Sequence, residues 1–537
     1  MGKRFMLALL AVALAASVCR ANTPKNDIVI LFTNDVNCGV DENIGYAGVE
    51  YYKRAMHKRT PYVTLVDAGN WAQGGAIGDI SQGRYIVEIM NAMSYEIAVP
   101  GNHEFDYGWG HFQSFARNLK CGFVSANFRD LRTGKLVFAP YKMRKYGNVK
   151  VAFVGACTPE SIAISTPSTF MDEDGKYIYD FDGESTGEKL IAAIQKAVDS
   201  AKSEGADYVV LVGHLGEYKD VVKEWSAPFI AERTRNIDVF IDGHSHEVTP
   251  GLLCKNLDGK DVVITQTGSK LMNIGQVTIT KTGGIKTELI SRVDGKTPEI
   301  DALVNEIKAR YGDTLSQKLT HTDFILRAKD DNNEWLIRNQ ETGLADLVAD
   351  ALLASTAEAK TGKADVAIMN GGNIRNNIDV GDITFEDALN VLPYNTSIAI
   401  WEVSGQTILD ELEHSVRLYP NRTGGFLHVA GMTYTLDARV PSPVQTDDKI
   451  YLLKISGERR IKDAMVNGEP LDPKKIYKLV GSNYIVREGG DGHVFKGAKL
   501  VEADYGVELD MFADYLRSFP EIPEKYKDSQ HRVTFVK

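Results

Sequence analysis

Eight short runs rich in β-branched residues recur between about residues 26 and 290, and most are followed by a polar, amphipathic stretch. They are Asp27 to Asp35, Tyr62 to Asn70, Tyr95 to Pro100, Gly122 to Asn127, Val149 to Ala156, Asp207 to Gly213, Ile237 to Gly243 and Asp261 to Thr267. Strand-length apolar runs alternating with amphipathic segments predict an α/β sandwich. Pro298 then opens a segment in which Ile300, Leu303, Val304 and Ile307 fall on one helix face. The connection between two domains is expected here, at 295–325, with a first domain over 22–294 and a second, mixed α/β domain over 326–537 that begins with a helix from Thr342 to Ala359. A chain of 537 residues is long enough for this division.

Residues 1–21 are of another kind. Lys3 and Arg4 precede an apolar run from Phe5 to Val18, and Cys19-Arg20-Ala21 follows it. This is the layout of a cleaved secretory signal, too short in its apolar part to span a bilayer, and it predicts a secreted or periplasmic protein with no integral membrane segment. A lipid anchor on Cys19 is the alternative. The formal charge of −11 becomes three units more negative when Lys3, Arg4 and Arg20 are removed, which disfavours nucleic acid as a partner. Cys38, Cys121, Cys157 and Cys254 remain without any CxxC spacing, so they suggest neither a zinc site nor a redox motif; buried free thiols are expected, and a disulfide is permitted. The balance of 43% hydrophobic and 25% charged residues excludes disordered and disulfide-dense classes.

Open α/β sheets bind ligands outside the carboxyl ends of their strands. Here those ends read Thr33-Asn34-Asp35-Val36-Asn37, Asp67-Ala68-Gly69-Asn70, Gly101-Asn102-His103-Glu104, Gly213-His214 and Gly243-His244-Ser245-His246. Any one histidine is commonly structural. Together, imidazole, carboxylate and amide oxygens beside glycines form a donor set suited to a divalent ion.

In order and spacing these blocks resemble the calcineurin-type metallophosphatases, whose blocks read D-x-H, G-D, G-N-H-E/D, G-H and G-H-x-H. Further on, Met369 to Arg375, Val391-Leu392-Pro393-Tyr394, Glu413-His414-Ser415 and Gly489-Gly490-Asp491-Gly492 resemble the C-terminal domain of the secreted 5′-nucleotidases, a family that includes UDP-sugar hydrolases and cyclic-nucleotide phosphodiesterases. The resemblance covers nearly the whole chain beyond residue 21. It implies one or two divalent ions, zinc, manganese, cobalt or magnesium, held by Asp35, Asn37, Asn70, Asn102, His214, His244 and His246; Asn102, His214 and His244 look like one ion's ligands, Asp35 and His246 the other's. It implies His103, oriented by Asp106, as the catalytic pair. It places Arg338 and the loop Asn370 to Arg375 on a nucleotide, with Tyr394 and Tyr484 sandwiching the base and Asp491 on the ribose. The segment from Tyr484 to Gly489 is one residue longer than the family spacing.

Two positions depart from the pattern. Asn37 stands where the family has histidine, and Asn70 where it has the aspartate that bridges two metals. A neutral amide bridges two dications poorly. Two readings follow: a hydrolase of nucleotide phosphate esters, or a nucleotide-binding member of the family with an impaired metal centre and little turnover.

Overall fold

A computed structural model describes residues 22–537 apart from 173–175, 218–220, 311 and 395, and no side chain at 503–504. The signal segment lies outside the described residues.

The first half is a sandwich of two sheets. One has five strands in the order Ile285–Ile290, Ile274–Ile279, Ile28–Thr33, Val63–Asp67, Ile97–Ala98. The other has six, in the order Val248–Lys255, Asp261–Thr267, Val239–Ile241, Tyr208–His214, Val149–Cys157, Tyr141–Tyr146. The period of two in a strand decides how they pack. Ile28, Ile30 and Phe32 face the second sheet and bury themselves against Val151, Phe153, Val210 and Val239. Val29 and Leu31 point the other way, into a core shared with Ile86, Ile89 and Phe112 of the covering helices Arg84–Ala92 and Trp109–Asn118. The second sheet's outer face is covered by the helices Glu188–Ser203 and Ala227–Glu232 through Ile194, Val198 and Ile230.

Six of the eight runs are strands of three or more residues. Tyr95 to Pro100 contains a strand of two residues, Ile97–Ala98, and Gly122 to Asn127 contains none. The latter weaves between neighbours, as Val124 N–H bonds Ala98 O, Ser125 N–H bonds Ala139 O and Ala126 N–H bonds Gly155 O. Its backbone is satisfied without a ladder, so strand-like composition did not make a strand.

The helix Pro298–Ala309 forms as the spacing predicts, with proline in its first turn, and buries Ile300, Val304 and Ile307 in the core of the first sheet's covering helices. Beyond it, a five-stranded sheet runs Leu427–Ala430, Val366–Asn370, Ile476–Ser482, Ser397–Ser404, Lys499–Val507. The helix Gly343–Ser355, capped by Thr342 whose hydroxyl accepts from Ala345 N–H, packs on one face with Glu508–Arg517; Gly405–Ser415 packs on the other. Among the described residues the four cysteines are free, and Cys38, Cys157 and Cys254 are buried. Among the described residues no helix is long and apolar enough to cross a membrane.

Candidate functional site

Parallel register levels the strand ends within each sheet, Thr33 opposite Asp67 in one and Cys157 opposite His214 in the other, and the contact of His214 with Ala68 O joins the carboxyl ends of Val63–Asp67 and Tyr208–His214 across the two sheets. The loops that follow are forced into uncommon backbone. Asp35, Asn37, Asn70, His244 and His246 all have positive φ, between 44° and 81°. Asparagine, aspartate and histidine adopt that conformation more readily than other non-glycine residues, which suits these types to the sharp turns at the strand ends. Gly101 shows how tight it is: a Cβ there would lie 2.2 Å from Asn70 Oδ1 and 2.8 Å from His214 Nε2.

Each donor is aimed. Asp35 Oδ2 accepts from Asn34 Nδ2 at 2.8 Å and from His244 N–H at 2.8 Å, which leaves Oδ1 facing His246 Nε2 at 3.4 Å and His214 Nε2 at 3.8 Å. His214 donates Nδ1–H to the Ala68 carbonyl at 2.6 Å, so its Nε2 lone pair is free. His244 Nε2 lies 2.9 Å from Glu160 Oε2; because a carboxylate accepts, Nε2 carries a proton and Nδ1 is the nitrogen left for another partner. Burial pushes His214 down to about 3 and His246 down to about 4. Burial works against the Asp35 carboxylate, but His246 and His214, which take up protons before it does as pH falls, and the hydrogen bonds from His246 and Asn34 outweigh it and hold its pKa well below the usual range. Asp35 is thus an ionised carboxylate beside two imidazoles, His214 and His246, that stay neutral at pH ~7.

These residues fit a divalent cation. Asp35 Oδ1, Asn37 Oδ1 and His214 Nε2 are buried polar atoms with no hydrogen-bond partner. Leaving three such atoms unpaired is costly unless something takes them up. Two ligands of one ion at about 2.1 Å stand roughly 3 to 3.5 Å apart, close to the Asp35 to His246 separation. Among the described residues no three His, Cys, Asp or Glu side chains form a cation cage by themselves; amides complete this one. Asn70 is the exception to the expectation. Its Oδ1 accepts from His103 N–H at 3.0 Å and its Nδ2 donates to Asn102 Oδ1 at 3.2 Å, so both ends of the amide are engaged inside the protein and its oxygen, like that of Asn102, keeps one lone pair. Rotating the amide would oppose donor to donor and acceptor to acceptor, which fixes this orientation.

Above the cluster, His103 Nδ1 lies 2.6 Å from Asp106 Oδ2, and Asp106 Oδ1 accepts from Ser165 Oγ at 3.0 Å. Burial, then Arg375 and His244, drive His103 well below its ordinary pKa; burial raises Asp106.

A cavity of about 620 Å³ joins the two halves of the chain. Asn70, Asn102, His103, Asp106, His244 and His246 line it on one side. Arg338, Asn370, Arg375, Tyr394, Tyr484 and Asp491 line it on the other. Asp35, Asn37 and His214 are buried behind its wall. Asn370 Nδ2 donates to Asp491 Oδ2 at 2.7 Å, and Asp491 itself has φ 56°. Arg375, nearly buried, lies 5.9 Å from the Tyr394 ring centroid. Tyr394 stands beside the catalytic-type pair, its ring 5.7 Å from His103 and its hydroxyl 3.5 Å from both ring nitrogens. Tyr484 reaches across to Ala163 O at 3.4 Å and lies flat over Gly490, where a Cβ would meet its ring at 2.3 Å.

Sequence reasoning missed two carboxylates. Glu104 accepts four backbone N–H groups, from Asn70, Trp71, Ala72 and Gly101, and so pins two of the loops together. Glu160 orients His244. It follows a strand that the runs had located, so attention to that strand's end, Thr158-Pro159-Glu160, would have found it.

Residues 28–248 match the sequence model of the calcineurin-like phosphoesterases, and residues 320–499 that of the 5′-nucleotidase C-terminal domain. The chain is 26% identical to a 5′-nucleotidase of Rattus norvegicus over 98% of its own length and 94% of that protein's. It is 25% identical to a snake venom 5′-nucleotidase of Naja atra over 92% of this chain and 97% of that one. A solved 5′-nucleotidase precursor from Thermus thermophilus superposes with a TM-score of 0.79 at 24% identity, covering 95% of this chain and 99% of that one, which establishes the fold. The two matched segments abut the one cavity from opposite sides, and by that pairing the chain belongs to the two-domain 5′-nucleotidase family.

Proposed function

We propose that this protein hydrolyses phosphate esters of nucleotides, with release of phosphate from a nucleoside 5′-monophosphate as its simplest reaction. The observation that carries the reading is one cavity with a cation-type donor cluster on one wall and arginine, aromatic and carboxylate groups on the other. The family relatives are named as 5′-nucleotidases and lend nothing to a binding protein without turnover.

Asp35, Asn37, Asn102, His214, His244 and His246 would hold the cation, with Asn70 bracing Asn102. When bound, a divalent ion polarises phosphoryl oxygens and lowers the pKa of water. The chain's own groups do the rest. Arg338 and Arg375 take the phosphate oxygens in the bidentate manner of guanidinium. Tyr394 and Tyr484 present faces to the base, and Asp491, oriented by Asn370, accepts from ribose hydroxyls. Asp106 holds the Nδ1–H of His103, so that Nε2 faces the reacting group. Arrival of a dianionic phosphate offsets Arg375 and favours the protonated imidazole, which then stabilises charge on the leaving oxygen. We place the domain division at 295–325 and the protein outside the cytoplasm, as the layout of residues 1–21 suggests.

Phosphate release from nucleoside monophosphates, cyclic nucleotides and nucleotide sugars, each with manganese, zinc, cobalt or magnesium, tests the reading. His103→Asn should lower kcat by about 10²- to 10⁴-fold with cation content unchanged. No release from any of these in any metal would sink it.

A further inference from the structure

Behind the cavity wall that carries Asp491 lie three titratable groups that the proposed reaction leaves unused. They are Glu411 and His414, on the helix Gly405–Ser415, and His493, just beyond Asp491. All three are buried.

His493 is the unusual one. Its Nδ1 lies 2.8 Å from Glu411 Oε2 and its Nε2 lies 3.0 Å from Gly425 O. A carboxylate and a carbonyl only accept, so each ring nitrogen carries a proton, and a ring with both protons is a cation. Glu411 offsets that charge and is itself held, because both its oxygens accept from Val494 N–H at 3.2 Å. His414, its ring centroid 4.9 Å from that of His493, is of the other kind. It donates Nε2–H to Asp491 O at 3.2 Å, and its Nδ1 has no partner among the described residues. Burial first, then Arg417 and His493, push His414 well below its ordinary pKa. Of two adjoining imidazoles, one is charged and the other is not.

The charged ring sits where it acts on Asp491. A Cβ at Gly425 would lie 3.0 Å from Asp491 Cβ and 3.3 Å from His493 Nε2, and one at Gly424 would lie 3.0 Å from Asp491 Oδ1. Only glycines let this stretch press against both side chains. Gly424 O in turn accepts from Gly372 N–H at 2.8 Å, which ties the stretch to the loop whose Asn370 Nδ2 holds Asp491 Oδ2. Burial raises the Asp491 carboxyl, and His493 leads the groups that work against it, ahead of Asn370, Arg417 and Arg338. Tyr394 and Tyr484, which share this wall, remain protonated because burial raises both hydroxyls.

Resting on the reading above, in which Asp491 accepts from ribose hydroxyls, we propose that His493 is a positioning residue for ribose recognition. As an imidazolium bridging Glu411 and Gly425 O, it keeps Asp491 ionised and in place. It thereby sets how strongly the protein prefers a sugar with both hydroxyls over one that lacks them, since a site built to bond a hydroxyl rejects the analogue without it.

Calorimetric titration of the cation-loaded protein with the phosphonomethyl analogues of adenosine 5′-monophosphate and of its 2′,3′-dideoxy form tests this. Neither can release phosphate, and their phosphonates titrate alike and cancel from the ratio of affinities. At pH ~8 the wild type should bind the analogue with both hydroxyls at least about tenfold more tightly. His493→Gln should cut that ratio about tenfold at pH ~6 and leave the affinity of the dideoxy analogue within about twofold. The fall of the ratio on acidification should have its midpoint at least about one pH unit higher in the variant, because a carboxylate that loses a neighbouring cation is protonated at higher pH. The double variant Glu411→Gln with His493→Gln serves if the single one does not fold, since two amides can bond where the ion pair stood. Equal affinities in the wild type would take Asp491 off the ribose and this inference with it. A variant that loses both analogues alike, or that keeps the wild-type ratio and its pH dependence, overturns the role of His493. Phosphate release from nucleoside monophosphates is measured alongside. The expected ratios without release overturn the hydrolase reading alone, and release with an unaltered ratio in the variant overturns this inference alone.

Discussion

Asn70 holds its place by two hydrogen bonds, one of which an aspartate could not make. Its Nδ2 donates to Asn102 Oδ1 and its Oδ1 accepts from His103 N–H, in a pocket where Asn70 is 1% exposed. Replacing the amide by a carboxylate keeps the second bond and turns the first into two opposed oxygens. Without a cation, Asn70→Asp should therefore be less stable than the wild type by about 1 to 3 kcal/mol, the cost of a buried polar contact gone wrong. With a cation the order reverses, because the added negative charge has a dication to face. Melting with and without manganese or zinc reads both effects. The cation-induced rise should be larger in the variant than in the wild type, and an equal rise would show that position 70 does not face the ion. The sequence made Asn70 visible as a departure from a pattern, but the pattern could not say that the amide's two ends are already used. That depends on the orientation of one side chain, which only the packed loops fix.

At the scale of elements, the strand ends were legible and the supports beneath them were not. The continuous apolar runs Ile28 to Phe32 and Tyr208 to Gly213 announce strands, and polar residues at their ends announce a site. Gly122 to Asn127, with Val124 its one β-branched residue, reads as a weaker run of the same kind, and its N–H groups go to three different partners. Whether a run finds one neighbour or several is set by the sheets around it. Glu104 was read as part of a motif, and its task is mechanical. The short 3-10 turn Asn102–Phe105 aims its carboxylate back at Gly101 and across at Asn70, Trp71 and Ala72, so one side chain ties the loop after Ile97–Ala98 to the loop after Val63–Asp67. Glu104→Ala strands those four N–H groups in a fully buried setting. The expected loss is on the order of 3 to 5 kcal/mol in urea unfolding. Glu104→Gln keeps some acceptor capacity and should lose less. If the alanine variant unfolds at the wild-type midpoint, the two loops are held by their glycine contacts rather than by this carboxylate.

For the whole molecule, the consequence of enclosing the cluster between two sheets and a second domain is a site that protons enter late. An exposed imidazole begins to protonate near pH ~6.5, and a cation bound to it is then displaced. In this protein burial lowers His214 to about 3 and His246 to about 4. The sign is that of a base whose folded pKa is depressed: its contribution to stability is complete above about pH 6.5 and is lost as pH falls toward about 4, because the unfolded chain takes up protons that the folded one refuses. Carboxyls raised by burial elsewhere, such as Glu508 at about 7, act in the opposite direction, so the total stability of the protein is a poor readout of the site. The difference in melting temperature with and without cation isolates it. At pH ~5 two ordinary histidines would cost a bound ion about 4 kcal/mol relative to pH ~7.5. Here the folded protein carries both imidazoles largely unprotonated across that range, so the cation-induced rise in melting temperature should shrink by less than about a quarter between pH ~7.5 and ~5 and fall off steeply only below pH ~4. A rise that fades through pH ~6.5 would mean that the histidines titrate as though exposed. The second domain would then not close over the cluster as the cavity requires.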